Sequence, residues 1–430
     1  MSSFDLYLDL ALIFFLLLVV LNYRVHRSVL YPPFIFCAMW LLDLVVIRSH
    51  FIELDPIHGN TLAIVAAGAA SFSVGGLLAG FAPREWLSIH IRLVPTKAKR
   101  TSDFLRNTLM IVLLCGLPIL FLQTLQLSKL GGGGSSILTQ ARVELIVITQ
   151  SGELRDQPFV LNYFPPIAIF TSLLFATGKK DWKFWVVTVV SFIGCILSTG
   201  RGGLLVLIAG LSAISLLQRK QESLRGAIKF LRFPIAFFVA LFIGLIFIDK
   251  NTADMTGGIA EIVSNSTISY IVGPLAGLDS VVQNPSHFTT TTSHTFQSFL
   301  KIAGALHITT YTMPPMIDSY VFVPFPMNVY TVFKFYFLEL GIVGTLALLL
   351  FIGLLHCLLY LKASRGGRFS TYLFANFMYP VLLVTYDDQY GLYLRVIAFG
   401  LVYFILGSVP FRLFPANWQR KQYRAAMVRS

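Results

Sequence analysis

Ser198-Thr199-Gly200-Arg201-Gly202-Gly203 interrupts a long apolar run from Phe184 to Leu217. Lys179, Lys180 and Lys183 precede the run, and Arg219 and Lys220 follow it. As one helix it would be roughly 51 Å long at 1.5 Å per residue. The hydrocarbon core of a bilayer is about 30 Å thick, so a single span does not absorb it. The chain must turn back on itself, and Gly200, Gly202 and Gly203 are where it can turn. Both arms are short for spans, which puts Arg201 near headgroup depth on the side away from the lysines. An arginine there, among glycines that let a ligand approach the backbone, reads as an anion site facing a water-filled cavity.

The rest of the chain sets the context for that hairpin. Of 430 residues, 56% are hydrophobic and 12% charged, with a mean hydropathy of +0.75. A soluble domain of this size does not have that balance, and the reading is a polytopic membrane protein. Cys37, Cys115, Cys195 and Cys357 fall inside apolar segments and read as small buried apolar residues, with no disulfide framework and no metal spacing. The start, MSSFD, lacks a basic n-region, so the first apolar run reads as a span and not a cleavable signal.

The expected fold is all-α: a single integral membrane domain over 1–430, built as a bundle of about eleven transmembrane helices. Apolar segments place the spans near 6–22, 29–47, 60–82, 104–124, 160–177, 184–198, 203–217, 233–248, 333–360, 370–386 and 391–410. Alternate connections hold 24 of the 33 Lys and Arg residues, from Arg24 and Arg27 to Arg424 and Arg429, and should face the cytoplasm. The N-terminus is then outside and the C-terminus inside. The net charge of +13 is a topology signal and calls for no nucleic acid. No fixed-period repeat and no pair of matching halves is visible.

Two substantial loops fall on the other face. The first, 126–157, contains Gly131 to Gly134, Arg142 and Arg155; the larger runs over 249–332. Within the larger loop, Ile259 to Val282 reads as helical, and Phe296 to Leu306 as a short helix after Thr289 to Thr292 and His294. Met313-Pro314-Pro315 and Val323-Pro324-Phe325-Pro326 break regular structure. The chain then re-enters the apolar region through Asn328-Val329-Tyr330-Thr331 and Lys334 to Gly341.

Three stretches resemble the oligosaccharide repeat-unit polymerases, the Wzy type of bacterial O-antigen and capsule assembly. They are STGRGGLL at 198–205, YIVGPLAGLDS at 270–280, and NVYTVFKFYFLELGIVG at 328–344. Glu339 stands where the family pattern has an aspartate. The resemblance implies block transfer of a growing glycan from undecaprenyl diphosphate onto a new lipid-linked repeat unit. It implies no nucleotide sugar, no cofactor and no metal. The implied partners are lipid-linked glycans, membrane lipids, and a chain-length regulator and flippase of the same pathway.

That reaction breaks an anomeric C–O bond to a lipid diphosphate, and fixed cations aimed at the leaving phosphate favour its transition state. Arginine forks phosphate oxygens and does not deprotonate. Arg201, at the mouth of a helix whose N-terminus adds positive potential, is the leading candidate, with Gly200 and Gly202 beside it. Arg142 and Arg155 are further phosphate candidates. Glu339, His294, Glu144 and Asp318 are candidate bases. Tyr330, Tyr336 and Tyr270, with Asn328 and Lys334, would bind sugar or diphosphate, and Phe333, Phe335 and Tyr320 crowd the same segment.

Each has a plainer alternative. Arg201 could snorkel to the interface, Arg142 pair with Glu144, Arg155 with Asp156, and Lys334 with Glu339. His294 could be merely solvated, Asp318 a turn former, and the aromatics an interfacial belt. Asp387-Asp388 reads as ordinary loop or a cation site. The rival functions are an O-antigen ligase and, of another class, a transporter or flippase for lipid-linked sugars.

Overall fold

A computed structural model describes residues 3–50, 55–83, 99–130, 136–150, 159–178, 180–198, 201–219, 224–246, 259–288, 293–310, 319–323 and 326–390. These residues form an all-α protein with five helices long and apolar enough to cross a membrane: Phe4–His26, Gly59–Gly80, Arg106–Leu130, Gly202–Arg219 and Phe333–Ser364. Tyr163–Ala176 and Trp182–Leu197 are shorter apolar helices.

In chain order the helices are α1 (Ser3–His26), α2 (Pro32–Arg48), α3 (Gly59–Gly80), α4 (Lys99–Leu130), α5 (Ile137–Gln150), α6 (Phe159–Ala176) and α7 (Trp182–Leu197). Then follow α8 (Arg201–Arg219), α9 (Leu224–Ile246), α10 (Ile259–Gln283), α11 (Gln297–Ala305), α12 (Phe333–Ser364) and α13 (Arg368–Leu382). The only described strands are the two-residue β1 (Val321–Phe322) and β2 (Pro326–Met327), paired antiparallel. The apolar segments at 6–22 through 370–386 each fall on a helix, whereas 391–410 lies outside the described residues.

The structure moves several expected boundaries. α4 continues to Leu130, and the first loop contains α5, so Arg142 lies on a helix. α9 begins nine residues before the expected start, because Leu224 to Arg232 interleaves basic and apolar side chains at helical spacing. Gly202 and Gly203 belong to the first turn of α8, so neither is part of a loop, and Gly200 lies outside the described residues. Cys37, Cys195 and Cys357 are buried as expected, but Cys115 is exposed along the side of α4.

Packing forms two main cores, and α8 and α13 contribute to both. In the first, α1, α2, α3 and α12 close around Phe36, Phe72, Trp40 and Leu349, with the Phe36 and Phe72 rings stacked at 4.4 Å. Contact between α3 and α12 is backbone to backbone: a Cβ on Gly75 would run into the Leu350 carbonyl, and one on Gly353 into the Phe72 carbonyl. Small residues allow such approach between apolar helices, where dispersion and not water exclusion supplies the attraction. The second core gathers α4, α6, α7 and α8 around Leu120, Phe170, Leu173 and Leu207. α13 contributes Phe374, Met378 and Val381 to the first core and Tyr372, Leu373 and Tyr379 to the second.

Contacts fix which helix ends lie together. At one end, Arg106 pairs with Asp181 at 3.1 Å, Lys180 Nζ donates to Ser215 Oγ at 3.2 Å, and Leu224 N–H donates to the Tyr23 hydroxyl at 3.3 Å. Arg24, Arg27, Lys183, Arg219, Arg225, Lys362 and Arg365 lie at helix termini on this basic end. At the opposite end Arg48 pairs with Asp9 at 2.8 Å, and Thr124 Oγ1 donates to the Leu197 carbonyl at 3.4 Å. The long connection between α9 and α12 packs there.

Candidate functional site

α12 is too long for one crossing and is broken at Gly341, whose φ of +65° and ψ of −174° are available in practice only to glycine. Residues 342–364 cover about 35 Å at 1.5 Å per residue, enough for a bilayer core. Phe333–Leu340 is therefore a separate short arm, and it carries Lys334, Tyr336 and Glu339. Val332 N–H donates to the Val384 carbonyl at 3.1 Å, which ties the arm to the end of α13. Phe333 fills the space over Gly68 of α3 and lies 5.7 Å from the Trp40 ring.

Glu339 faces the 293–296 turn. Its carboxylate accepts from Ser293 Oγ at 2.5 Å, His294 N–H at 2.6 Å and Thr295 N–H at 3.3 Å. Ser293 Oγ in turn accepts from Phe296 N–H at 3.2 Å, just before α11. The carboxylate thus fixes the turn that carries His294. That imidazole is buried and stacks on Phe335 of the arm, centroids 3.9 Å apart and planes 4° from parallel. Glu339 turns to this loop instead of pairing with Lys334.

Lys334 is 2% exposed. Its Nζ lies 3.6 Å from the Tyr330 ring centroid, 4.9 Å from Phe335 and 5.9 Å from Phe288, a cation wrapped by aromatic faces. The Tyr330 hydroxyl donates to the Ser319 carbonyl at 2.7 Å. Its ring lies against Gly277 of α10, where a Cβ would come within 3.1 Å. Two residues on, Asp279 accepts from Thr61 Oγ1 at 2.6 Å and His58 N–H at 3.1 Å, so α10 is clamped to the start of α3. Asn328 is half-buried beside β2.

On the arm's other side, the buried Tyr336 hydroxyl donates to Asp388 Oδ1 at 2.8 Å, and Tyr390 N–H donates to the same oxygen at 3.0 Å. The Tyr390 hydroxyl lies 3.3 Å from His356 Nδ1. The Tyr270 and Tyr386 rings are 5.7 Å apart, joining α10 to the segment after α13. A Cβ on Gly202 would stand 2.9 Å from the Tyr379 hydroxyl, so the absent side chain lets the first turn of α8 meet α13. Tyr379 lies within electrostatic reach of Asp387. The start of α8, the end of α13 and the arm therefore lie at the same end of the bundle. The first turn of α8 directs its N–H groups to that end, where the helix dipole adds partial positive charge.

The structure gathers His294, Tyr330, Lys334 and Glu339 on and around the arm, with Asn328 and Tyr336 on the same segment, and places Tyr270 and Gly202 at the same end of the bundle against Tyr386 and Tyr379. The backbone of Arg201 opens α8, while its side chain, Gly200, Arg155 and Asp318 lie outside the described residues. Arg142 sits half-buried on α5, which packs along α4, whereas Lys334 is enclosed by Phe288, Tyr330 and Phe335. Sequence reasoning did not single out Asp279, Tyr379 or His356, and treated Asp388 only as part of a loop pair. A carboxylate after an apolar helix gives no sign of burial by itself; here the i+2 Tyr390 and distant Tyr336 create it. Among the described residues no three His, Cys, Asp or Glu side chains gather as metal ligands would.

The fold defines the class: an all-α protein with several helices of membrane-crossing length. No family model, curated protein or solved structure matches the chain.

Proposed function

We propose that the protein polymerises undecaprenyl-diphosphate-linked oligosaccharide units by block transfer at the outer face of a bacterial cytoplasmic membrane. The observation that carries this reading is convergence. The stretches at 270–280 and 328–344, far apart in sequence, meet through Gly277 against Tyr330. Both the 328–344 stretch, by Tyr336 on Asp388, and the 198–205 stretch, by Gly202 against Tyr379, rest on the end of α13 and the segment after it. In the proposed topology about eleven spans place that end outside and the basic end in the cytoplasm, with the N-terminus outside and the C-terminus inside.

In the proposed reaction an acceptor sugar hydroxyl attacks the anomeric carbon of the donor glycan. A glycosidic C–O bond forms, the C–O bond to diphosphate breaks, and undecaprenyl diphosphate departs with the electron pair. Arg201 and the start of α8 stabilise the charge growing on that leaving group. Lys334 adds a fixed positive charge at the same end. His294 takes the acceptor proton, and Glu339 is a positioning residue that holds the 293–296 turn. Tyrosine faces and hydroxyls near Asn328 seat the sugars.

The test supplies purified protein with a lipid-linked repeat unit alone and follows products on a gel. A ladder of longer glycans on the lipid is expected. A ligase would leave the unit unextended until a lipid A core acceptor is added, and a transporter would form no new bond; either result overturns the proposal.

A further inference from the structure

A groove of about 880 Å³ opens between α7, α8 and α9, well away from the arm. Its mouth holds Arg219, Lys229 and Arg232, and the described lining contains no carboxylate. The two guanidinium groups are braced by rings, Arg219 Cζ lying 4.7 Å from the Phe230 centroid and Arg232 Cζ 4.7 Å from that of Phe233. Farther from the basic end, Phe192 and Phe237 make the wall apolar, edge to face at 5.6 Å, and Trp185 adds an apolar face one turn into α7. From Lys229 to Phe237 α9 rises about 12 Å, so charge and apolar wall are separated along the helix axis. Trp185 is 60% exposed and Phe237 49% exposed, so this face has no protein cover among the described residues.

We propose that this groove seats an anionic phospholipid from the leaflet at the basic end, its phosphate among Arg219, Lys229 and Arg232 and its acyl chains along Trp185, Phe192 and Phe237. A small soluble anion would leave the apolar wall unfilled, and a zwitterionic lipid would carry its own cation toward three others. The lipid diphosphate of the proposed reaction belongs at the other end of α8, about 27 Å away at 1.5 Å per residue. Positive potential extends beyond the mouth: burial, then the Arg219 charge, holds Lys180 below its ordinary range. A phosphate at the mouth offsets that excess, as basic pockets between helices do for anionic headgroups.

The full-length protein, stripped of lipid in detergent, is titrated with phosphatidylglycerol or phosphatidylcholine of the same acyl chains, and bound lipid is read by native mass spectrometry. Phosphatidylglycerol should be retained preferentially. Each of Arg219→Gln, Lys229→Gln and Arg232→Gln should weaken it on the order of fivefold, and Arg219→Lys/Arg232→Lys should keep the preference. Lys362→Gln/Arg365→Gln, at the same end but outside the groove, should leave binding unchanged. Ser212→Trp, which fills the groove, should abolish retention while thermal unfolding shows the protein folded. Equal retention of the two lipids, a triple Gln variant that binds normally, or displacement of phosphatidylglycerol by equimolar polyprenyl diphosphate would overturn the proposal.

Discussion

Replacing Glu339 separates an anchor from a base. The carboxylate holds two short donors, Ser293 Oγ and His294 N–H, and a longer one from Thr295 N–H. Hydrogen bonds to a charged acceptor contribute about 1.5–3 kcal/mol each. The site is half-buried, so the low end applies, and losing both short bonds in Glu339→Ala weakens docking of the turn by about 3 kcal/mol. That is a factor on the order of 100 in the docked-to-released ratio. Glu339→Gln keeps one acceptor oxygen and should lose about half of this, roughly tenfold. Hydrogen exchange by mass spectrometry on the segment around 293–296 reads the change directly. Protection should fall on the order of 100-fold in the alanine variant and tenfold in the glutamine variant. Polymer yield should follow the same order, with Glu339→Gln retaining measurable activity. Unaltered protection in Glu339→Ala would refute the anchor; complete inactivity of Glu339→Gln with a normally protected turn would show that the carboxylate itself handles the proton.

Three further outcomes follow from the packing. Gly341→Ala meets open space around its Cβ yet forces an L-residue into a φ of +65°, so thermal unfolding in detergent should show about 1–3 kcal/mol of destabilisation, and glycan chains should shorten because the arm is re-aimed. Gly353→Ala drives a methyl into the Phe72 carbonyl and should cost about 1–3 kcal/mol by overpacking, whereas Gly80→Ala, with nothing within 4 Å, should unfold like the wild type. Tyr336→Phe removes the donor to the buried Asp388 carboxylate and should cost about 1.5–3 kcal/mol in the same assay, and Asp388→Asn should cost less when combined with it than alone, a coupling that a double-mutant cycle measures.

Much of the helical scaffold was legible because apolar runs of membrane length are a strong signal, and basic residues punctuate them on one side. What periodicity does not carry is where a helix bends. Phe333 to Ser364 reads as one unbroken apolar helix, and only the positive φ at Gly341 divides it into an arm and a span. The first loop was placed by its bounds alone, and the helix over Ile137 to Gln150 inside it was not singled out. A Lys334–Glu339 pair was the plainer alternative, at a five-residue spacing poor for pairing on a helix. The lysine instead sits over Tyr330, four residues back, and reaches the distant Phe288, while the acid finds the 293–296 turn. Those choices depend on how the long connection folds back over the bundle, which no local pattern encodes. Asp279, by contrast, lay inside a quoted stretch, and its role as a clamp needed the start of α3 to come into view.

The central claim is that a guanidinium at the start of α8 stabilises the departing diphosphate. Single-turnover release of undecaprenyl diphosphate, compared between wild type and Arg201→Lys at saturating lipid-linked repeat unit, measures that step. Loss of a preorganised donor at a developing anion should slow release on the order of 100-fold. Release within about twofold of wild type would contradict the account.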